Sequence, residues 1–319
     1  MSARSAKPRS ICSSPTWPPV DDLLQEEVQV RVVVTGASGF LGKRVAASLT
    51  ERGEDVTLLA RSTSVLPSGA GQVVRFEHAV EAGELVAAMA PDVLIHMAAA
   101  QGRRGESAAT MVDANVTLSA ALLGAMGPGS LFINTGTTLP PHMNLYALTK
   151  SQFVELARHL VTQGRTDAHV VNTQFQMIYG PADDPAKFVP KLALQLVENA
   201  GPLVTTPGTQ RRDFIYVDDA VAAILAIVDA RTQLPTWQEV PIGTGIAVPL
   251  CDFIERAITV SGFNQPWQKS LSPRAGEPEE MVADITILQS LGWASRTSLD
   301  DGIGRLIDDA RATVSSGRT

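Results

Sequence analysis

The chain has 319 residues, of which 45% are hydrophobic, so it can bury one large core or two modest ones. Its 26 basic and 33 acidic residues give a formal net charge of −7, which disfavours a nucleic-acid surface or an anionic membrane as a partner. Two cysteines, Cys12 and Cys251, exclude a disulfide framework and a cysteine-rich zinc site, so we predict no bound metal.

The first 28 residues combine prolines and serines with an acidic patch, and we predict a disordered tail there. No apolar run reaches the roughly 18 residues that a membrane helix needs, and the N-terminus lacks the apolar core of a signal peptide. Together with the low cysteine content, these features favour a cytoplasmic protein that does not bind a membrane.

The first predicted element is a buried strand that ends in a glycine-rich turn, residues 31–42 (RVVVTGASGFLG). Gly36 allows a sharp turn, Gly39 lets backbone N–H groups approach a pyrophosphate, and Gly42 lets the following helix pack on the strand. The pattern predicts a cradle for the phosphates of a dinucleotide. A turn that needs glycine only for its geometry is the alternative interpretation.

A second buried strand is predicted over residues 55–60, and Arg61 follows it where a dinucleotide fold meets the adenosine ribose. An acidic residue at this place would bind the 2′-hydroxyl of NAD. A guanidinium group suits a 2′-phosphate instead, so the sequence favours NADP, with NAD as the alternative. The other interpretation of Arg61 is an exposed arginine in a turn.

Short apolar strands then alternate with helices, which predicts a doubly wound parallel sheet. The further strands are expected over 92–96, 130–134 and 169–174, and the helices over 81–89, 107–126, 146–160 and 218–229. His96 is interpreted as a packed histidine, because nothing near it in sequence orients it as a base. Ala98 is small enough for a cofactor to lie against the backbone. Asp218 and Asp219 are interpreted as caps of the last helix.

The catalytic candidates are Tyr146 and Lys150, which open a predicted helix. Their i, i+4 spacing places the phenol and the ammonium on one helix face, where the cation favours ionisation of the phenol. Thr135 and Thr137 lie at the preceding strand end, where a hydroxyl could donate to a carbonyl oxygen. We favour Thr135 over Thr137, and a threonine-rich turn is the structural alternative.

These motifs, taken in order, resemble the extended short-chain dehydrogenase/reductase family, which includes nucleotide-sugar epimerases, dehydratases and reductases. The segments 132–139 and 206–214 are most similar to its CDP-abequose and CDP-paratose synthase branch, which consists of 4-ketoreductases. The matching segments, from the glycine turn to the C-terminal region, are 35–42, 96–99, Asn115, 146–150, 179–181, 212–219, Arg274 with 276–278, and 291–293.

The resemblance implies roles for individual residues. Tyr146 would be the general acid, Thr135 the assisting hydroxyl, and Lys150 would lower the pKa of Tyr146 and hold the nicotinamide ribose. Residues of the glycine-rich turn and Ala98 would bind the cofactor together with Arg61, Tyr146 and Lys150. Those of the turn are Gly36, Ser38, Gly39, Phe40, Leu41 and Gly42. Lys187, Arg212 and Arg274 would bind the substrate.

We therefore expect an α/β protein with a doubly wound parallel-sheet Rossmann domain and a smaller C-terminal substrate-binding lobe. The expected divisions are 1–28 for the tail, 29–178 and 213–245 for the dinucleotide-binding domain, and 179–212 with 246–319 for the lobe. Relatives dimerise through the helices that correspond to 107–126 and 146–160, so a homodimer is expected. The apolar positions Phe153, Val154, Leu156, Ala157 and Leu160 suit such an interface or, equally, a core face.

The expected reaction is the NADPH-dependent reduction of the C4 ketone of a nucleotide-diphosphate-linked 4-keto-6-deoxyhexose. A 4,6-dehydratase would carry a carboxylate pair after the catalytic threonine, and residues 136–137 are Gly and Thr. An NAD-dependent nucleotide-sugar 4-epimerase remains the alternative, although an acidic residue usually stands where Arg61 does. A non-catalytic NADP-binding protein is the further alternative, and the intact Tyr146 and Lys150 argue against it.

Overall fold

The computed structural model describes residues 29–66, 71–272 and 276–317. The predicted disordered tail and Arg274 lie outside the described residues. Within those ranges, the helices are too short or too polar to cross a membrane, and no group of three or more His, Cys, Asp and Glu side chains could hold a metal ion.

Strands and helices alternate along most of the described chain. The strands are β1 Arg31–Thr35, β2 Asp55–Arg61, β3 Gln72–Phe76, β4 Val93–His96, β5 Leu131–Thr135, β6 His169–Phe175, β7 Met177–Tyr179, β8 Leu203–Val204, β9 Arg211–Tyr216, β10 Trp237–Ile242, β11 Ala247–Pro249, β12 Trp267–Gln268 and β13 Glu280–Met281. The helices are α1 Gly42–Glu51, α2 Ala79–Met89, α3 Ala108–Val112, α4 Leu118–Gly124, α5 Leu145–Thr162, α6 Phe188–Glu198, α7 Val217–Asp229, α8 Leu250–Ser261, α9 Thr286–Ser290 and α10 Leu299–Ser315.

A parallel sheet forms the centre of the molecule, which confirms the predicted fold class. Among the described strands its order is β10-β6-β5-β4-β1-β2-β3, and each neighbouring pair is parallel. The chain runs outward in one direction through β2 and β3, and in the other through β4, β5, β6 and β10. The direction of winding thus reverses between β1 and β4. Open α/β sheets bind ligands at the carboxyl ends of the strands beside such a reversal.

Helices cover both faces of this sheet because its strands are apolar on both sides. Val32 and Val34 pack with the buried residues of α1 and α7, whereas Val33 packs with those of α2, α4 and α5. Phe153 and Ala157 of α5 are buried in the second cluster, and Leu160 packs against it. These three positions, which suited either a dimer interface or a core, therefore belong to the core of the monomer.

Two predicted elements differ in the structure. Strand β3 was not predicted. It lies at the sheet edge, and only Phe76 of its five residues is buried, although Val73 and Val74 are also apolar. The helix expected over 107–126 forms as α3, a π-helical turn Asp113–Thr117 and α4. Such π turns occur often at functional sites.

Asp218 and Asp219 lie at the positive end of the α7 dipole, as interpreted, but neither is the N-cap residue of this helix. Both lie in its first turn, but its N-cap residue is Tyr216 and no side-chain cap hydrogen bond forms. The Asp219 carboxylate instead accepts hydrogen bonds from the backbone N–H groups of Arg296 (3.0 Å) and Thr297 (2.9 Å), just before α10. Asp218 lies 3.8 Å from Arg305 of α10. The pair therefore anchors α10 to α7.

A smaller group of elements lies at the C-terminal side of the described chain. Strand β9 pairs with β7, β11 and β13, and β8 pairs with β12. Helices α6, α8 and α10 pack around an aromatic cluster in which Phe214 and Phe253 stack at a centroid distance of 4.2 Å, with Tyr179 against their edges. Phe40 and Leu41 of the glycine-rich turn pack against the same cluster, so this lobe adjoins the carboxyl edge of the main sheet.

Candidate active site

The glycine-rich turn between β1 and α1 packs directly against the end of β4. Gly36 has φ +72°, and a Cβ atom there would lie 2.6 Å from the backbone nitrogen of Ala98. A Cβ atom on Gly42 would lie 2.2 Å from the carbonyl oxygen of Gly36. Leu41 is the N-cap residue of α1, and the turn before it satisfies the N–H group of Lys43 through the carbonyl oxygen of Gly39 at 3.1 Å. The glycine-rich turn 36–42 and Ala98 therefore lie in contact with each other.

Arg61 ends β2 beside two other charged groups. Its Nη2 atom lies 3.6 Å from Oδ2 of Asp113, the first residue of the π-helical turn. Arg75 of β3 donates from Nη1 to the carbonyl oxygens of Arg61 (3.0 Å) and Ser64 (2.9 Å), which fixes the turn after β2. The sequence did not identify Arg75 or Asp113 as neighbours of Arg61, because both come from other elements.

Lys150 is a fully buried cation on α5. Its Nζ atom donates to Oδ1 of Asn134 on β5 at 3.3 Å, and Asn134 in turn donates to Oδ1 of Asn172 at 2.7 Å. Burial lowers the pKa of Lys150 to about 8 from its usual 10.5. An ammonium has three N–H donors, so Lys150 can donate to a bound ligand as well as to Asn134.

Tyr146 is partly buried in the first turn of α5, whose N-cap Asn144 accepts a hydrogen bond from the N–H of Ala147 at 2.8 Å. Burial raises the pKa of Tyr146, and the positive charge of Arg103 acts in the opposite direction. The expected lowering of this pKa by Lys150 is not seen. Burial thus favours the neutral phenol, a group that can donate a proton.

The two candidate threonines differ in their hydrogen bonds. The Thr135 hydroxyl donates to the carbonyl oxygen of His96 at 3.0 Å, within the sheet. The Thr137 hydroxyl accepts a hydrogen bond from the N–H of Leu139 at 3.2 Å, so its own proton can be donated to a ligand. Thr137, and not the favoured Thr135, therefore has a hydroxyl proton that it can donate to a ligand.

A buried hydrogen-bond network surrounds His96 and Asn115 and reaches α5. His96 bonds Thr35 through Nδ1 and Ser119 through Nε2, each at 2.8 Å, and burial holds its pKa well below the usual value. His96 is therefore a packed, neutral histidine, as interpreted. Asn115, in the π-helical turn, accepts from the N–H of Ala100 at 2.8 Å and donates to Oγ1 of Thr149 at 2.9 Å. It connects the loop after β4 to α5.

Lys187 lies at the glycine-rich turn rather than beside Arg212. Its Nζ atom is 2.7 Å from Oδ1 of Asp183 and 5.3 Å from the centre of the Phe40 ring. The side chain of Asp183 is 1% exposed, and its Oδ2 atom has no hydrogen-bond partner among the described residues. Arg44 of α1 donates to the carbonyl oxygens of Phe40 and Pro181, which joins the two loops.

Arg212 is buried on β9, in the smaller lobe. Its Nη2 atom donates to Oε1 of Glu277 at 2.8 Å and its Nη1 atom to its own neighbour's carbonyl, that of Arg211, also at 2.8 Å. Asp213 accepts from the N–H groups of Thr244 (2.8 Å) and Gly245 (3.0 Å), which fixes the strand beside it. The third predicted substrate ligand, Arg274, lies outside the described residues.

Comparison with known proteins agrees with this geometry. The family model of the "NAD dependent epimerase/dehydratase family" matches residues 32–243, which is more than half of the chain. A "CDP-abequose synthase" from Salmonella typhimurium is 31% identical over 296 residues, covering 86% of this chain and 97% of the relative. A "dTDP-6-deoxy-L-talose 4-dehydrogenase (NAD(P)(+))" from Kitasatospora kifunensis is 27% identical, covering 86% of this chain and 94% of the relative.

Solved structures show the same fold. The structure of "MoeE5 in complex with UDP-glucuronic acid and NAD" superposes with a TM-score of 0.74 at 25% sequence identity. The match covers 89% of this chain and 99% of that one. The sheet, the lobe and their connection are therefore similar over nearly the whole described chain.

Proposed function

Because the chain belongs to the NAD-dependent epimerase/dehydratase family, as an enzyme of the extended short-chain dehydrogenase/reductase type, we propose that it reduces the C4 ketone of a nucleotide-diphosphate-linked 4-keto-6-deoxyhexose with NADPH. The observation that carries this proposal is the placement of the Tyr146 phenol, which is partly buried in the first turn of α5, four residues before the fully buried Lys150. A ketone reduction needs a proton donor, and a phenol at this place can supply it.

The glycine-rich turn fits a dinucleotide cofactor. Side chains at Gly36 and Gly42 would collide with the backbone, so the turn packs closely against the end of β4. The N–H groups at the start of α1 are proposed to bind the pyrophosphate of the cofactor. The residues proposed to hold the cofactor are those of 36–42, Arg61, Ala98, Tyr146 and Lys150. When bound, the reduced nicotinamide supplies the hydride.

Two side chains of this chain are assigned to the sugar ketone. Tyr146 donates its phenolic proton to the C4 oxygen, and Thr137 donates a hydrogen bond to the same oxygen. Thr137 replaces Thr135 in this role because the Thr135 proton is bonded to His96. The Lys150 ammonium is assigned to the nicotinamide ribose, which it would hold with the N–H donors that Asn134 does not use.

The charge distribution favours NADPH over NADH. Two guanidinium groups, those of Arg61 and Arg75, and one carboxylate, that of Asp113, meet at the end of β2. Their net positive charge attracts a 2′-phosphate, and guanidinium binds phosphate in a bidentate manner. Lys187, Arg212 and Arg274 are proposed to bind the substrate. Lys187 lies 5.3 Å from the Phe40 ring of the glycine-rich turn, and its ammonium is paired with Asp183.

We further propose a homodimer formed through α3, α4 and α5. Val112 of α3 (41%) and Leu145 (36%) and Leu148 (40%) of α5 are exposed apolar residues, and we propose that they form one apolar stripe next to Tyr146. A second copy of the chain would cover the stripe by a two-fold axis.

The test is an NADPH oxidation assay with CDP- and dTDP-linked 4-keto-6-deoxyhexoses, run beside NADH. The proposal predicts turnover that depends on the keto sugar and falls at least a hundredfold in Tyr146→Phe. Interconversion of UDP-hexoses without added cofactor, and no NADPH oxidation by keto sugars, would instead identify a 4-epimerase.

A further inference from the structure

The Asp113 carboxylate lies beside Arg61 at the end of β2, and the proposed binding of NADPH gives it no role of its own. Asp113 Oδ2 lies 3.6 Å from Arg61 Nη2, and both side chains are partly exposed, Arg61 at 37% and Asp113 at 59%. A phosphate that binds the Arg61 guanidinium places its oxygens about 2.8 Å from the guanidinium nitrogens. The phosphate and the Asp113 carboxylate would then lie within roughly 6 Å of one another, close enough for like charges to repel.

Among the described residues, Arg61 forms the ion pair with the Asp113 carboxylate. The backbone of Asp113 is fixed independently, because its carbonyl accepts the N–H of Leu118 and the π-helical turn is held through Asn115. The carboxylate is therefore not needed to build the turn. Its charge can be removed without disturbing the network below Tyr146.

The same carboxylate supplies the group that a dinucleotide fold otherwise carries at the end of β2. A carboxylate at this end of the sheet accepts a hydrogen bond from the 2′-hydroxyl of NAD. Here the end of β2 is Arg61, and the carboxylate comes from the π-helical turn. Arg61 and Asp113 thus offer one group suited to a 2′-phosphate and one suited to a 2′-hydroxyl.

We propose that Asp113 is a specificity-determining residue that limits the preference for NADPH and lets the site accept NADH as well. The proposal rests on the proposed function, because it takes the end of β2 as the site of the adenosine ribose. A 2′-phosphate draws Arg61 away from Asp113 and lies against its negative charge. A 2′-hydroxyl leaves the Arg61–Asp113 pair in place and donates to the carboxylate.

The experiment measures NADPH and NADH dissociation constants by calorimetry on the full chain without any sugar, so it does not depend on the ketone assignment. Asp113→Asn should bind NADPH about three- to tenfold more tightly and NADH no more tightly, so that the affinity ratio rises. The gain should shrink between 0.05 and 0.5 M salt, because the charges are partly exposed. Asp113→Glu, which retains the charge, should keep the ratio near that of the wild type.

Asp55→Asn is the matched control, since it removes the same charge from an exposed position at the other end of β2. The proposal is overturned if Asp113→Asn and Asp55→Asn give the same NADPH to NADH ratio while Arg61→Gln lowers it, and the proposed function then stands. If Arg61→Gln leaves NADPH binding unchanged, both the inference and the assignment of Arg61 are wrong.

Discussion

Lys150 is fully buried, and this burial makes the free energy of unfolding depend on pH. Its pKa of about 8 in the folded chain lies below the 10.5 of an exposed lysine, so the unfolded chain binds more protons between these values. The stability of the folded chain therefore rises with pH through this window. Below about pH 8 the full cost of the buried charge is present, on the order of 3 kcal/mol.

We expect the free energy of unfolding of the wild type, relative to Lys150→Met, to increase by that order between pH 7 and pH 10.5. Urea unfolding of the cofactor-free protein measures it. Lys191→Met, at an exposed lysine of α6, is the control and should show no such trend. A wild-type curve parallel to that of Lys150→Met would show that Lys150 is not a buried ammonium.

Thr135 and Thr137 can be separated by their effects on turnover. Thr137→Val should lower kcat by about a hundredfold, because it removes a donor to the oxygen on which charge develops. Thr135→Val should lower it by less than tenfold and cost about 1 kcal/mol of stability, because it leaves the His96 carbonyl without its bond. Steady-state kinetics with the keto sugar would contradict the assignment if Thr135→Val were the more damaging change.

At the level of residues, the sequence identified groups whose meaning depends on local spacing. Tyr146 and Lys150 are one helical turn apart, so their shared helix could be predicted from the sequence. The partners of Arg61 and Arg212 could not, since Asp113 and Glu277 lie in other elements. The choice between Thr135 and Thr137 also depended on a carbonyl from a neighbouring strand, which no spacing rule locates.

At the scale of elements, α10 packs within the lobe at a glycine whose neighbours leave little room for a side chain. A Cβ atom on Gly302 would lie 2.1 Å from the hydroxyl oxygen of Tyr179. Tyr179 is 1% exposed and surrounded by Phe214, Tyr216 and Phe253, so it cannot move aside freely. The contact fixes how closely α10 approaches β7.

We expect Gly302→Ala to destabilise the protein by about 1–3 kcal/mol through overpacking. Tyr179→Phe should recover part of this loss in the double variant, since it removes the nearest atom. Gly304→Ala is the matched control on the same helix, because a Cβ atom there meets nothing within 4 Å. Thermal unfolding that ranked Gly302→Ala level with Gly304→Ala would contradict the packing described.

Strands and helices were predicted where apolar residues form a clear pattern in the sequence. They were missed where contacts with other parts of the chain determine the local structure. The buried runs of β1, β2 and β4 were recognised close to their observed bounds. Strand β3 was not predicted, because it is an edge strand with one buried residue. The π-helical turn 113–117 escaped because an added residue in a helical turn leaves no mark in the pattern, although it places Asn115 toward Ala100.

At the scale of the whole molecule, the exposed apolar residues Val112 of α3 and Leu145 and Leu148 of α5 predict the oligomeric state. Leu148→Glu should convert the proposed homodimer to a monomer, because it would bury a charge in the interface. Val260→Glu, at an equally apolar position that is 37% exposed on α8, should leave the dimer intact. Light scattering after size-exclusion chromatography measures both, and a monomeric wild type would contradict the proposal.

The central claim is that a hydride is transferred to C4 of a nucleotide-linked keto sugar and is not returned to the cofactor. The most direct measurement uses NADPH that carries deuterium at the transferable position of the nicotinamide C4, with mass spectrometry and NMR of the sugar product. We predict one deuterium at C4 of the sugar and one NADPH consumed for each product formed. A product without deuterium, or an epimerised hexose formed with no net loss of NADPH, would contradict the account.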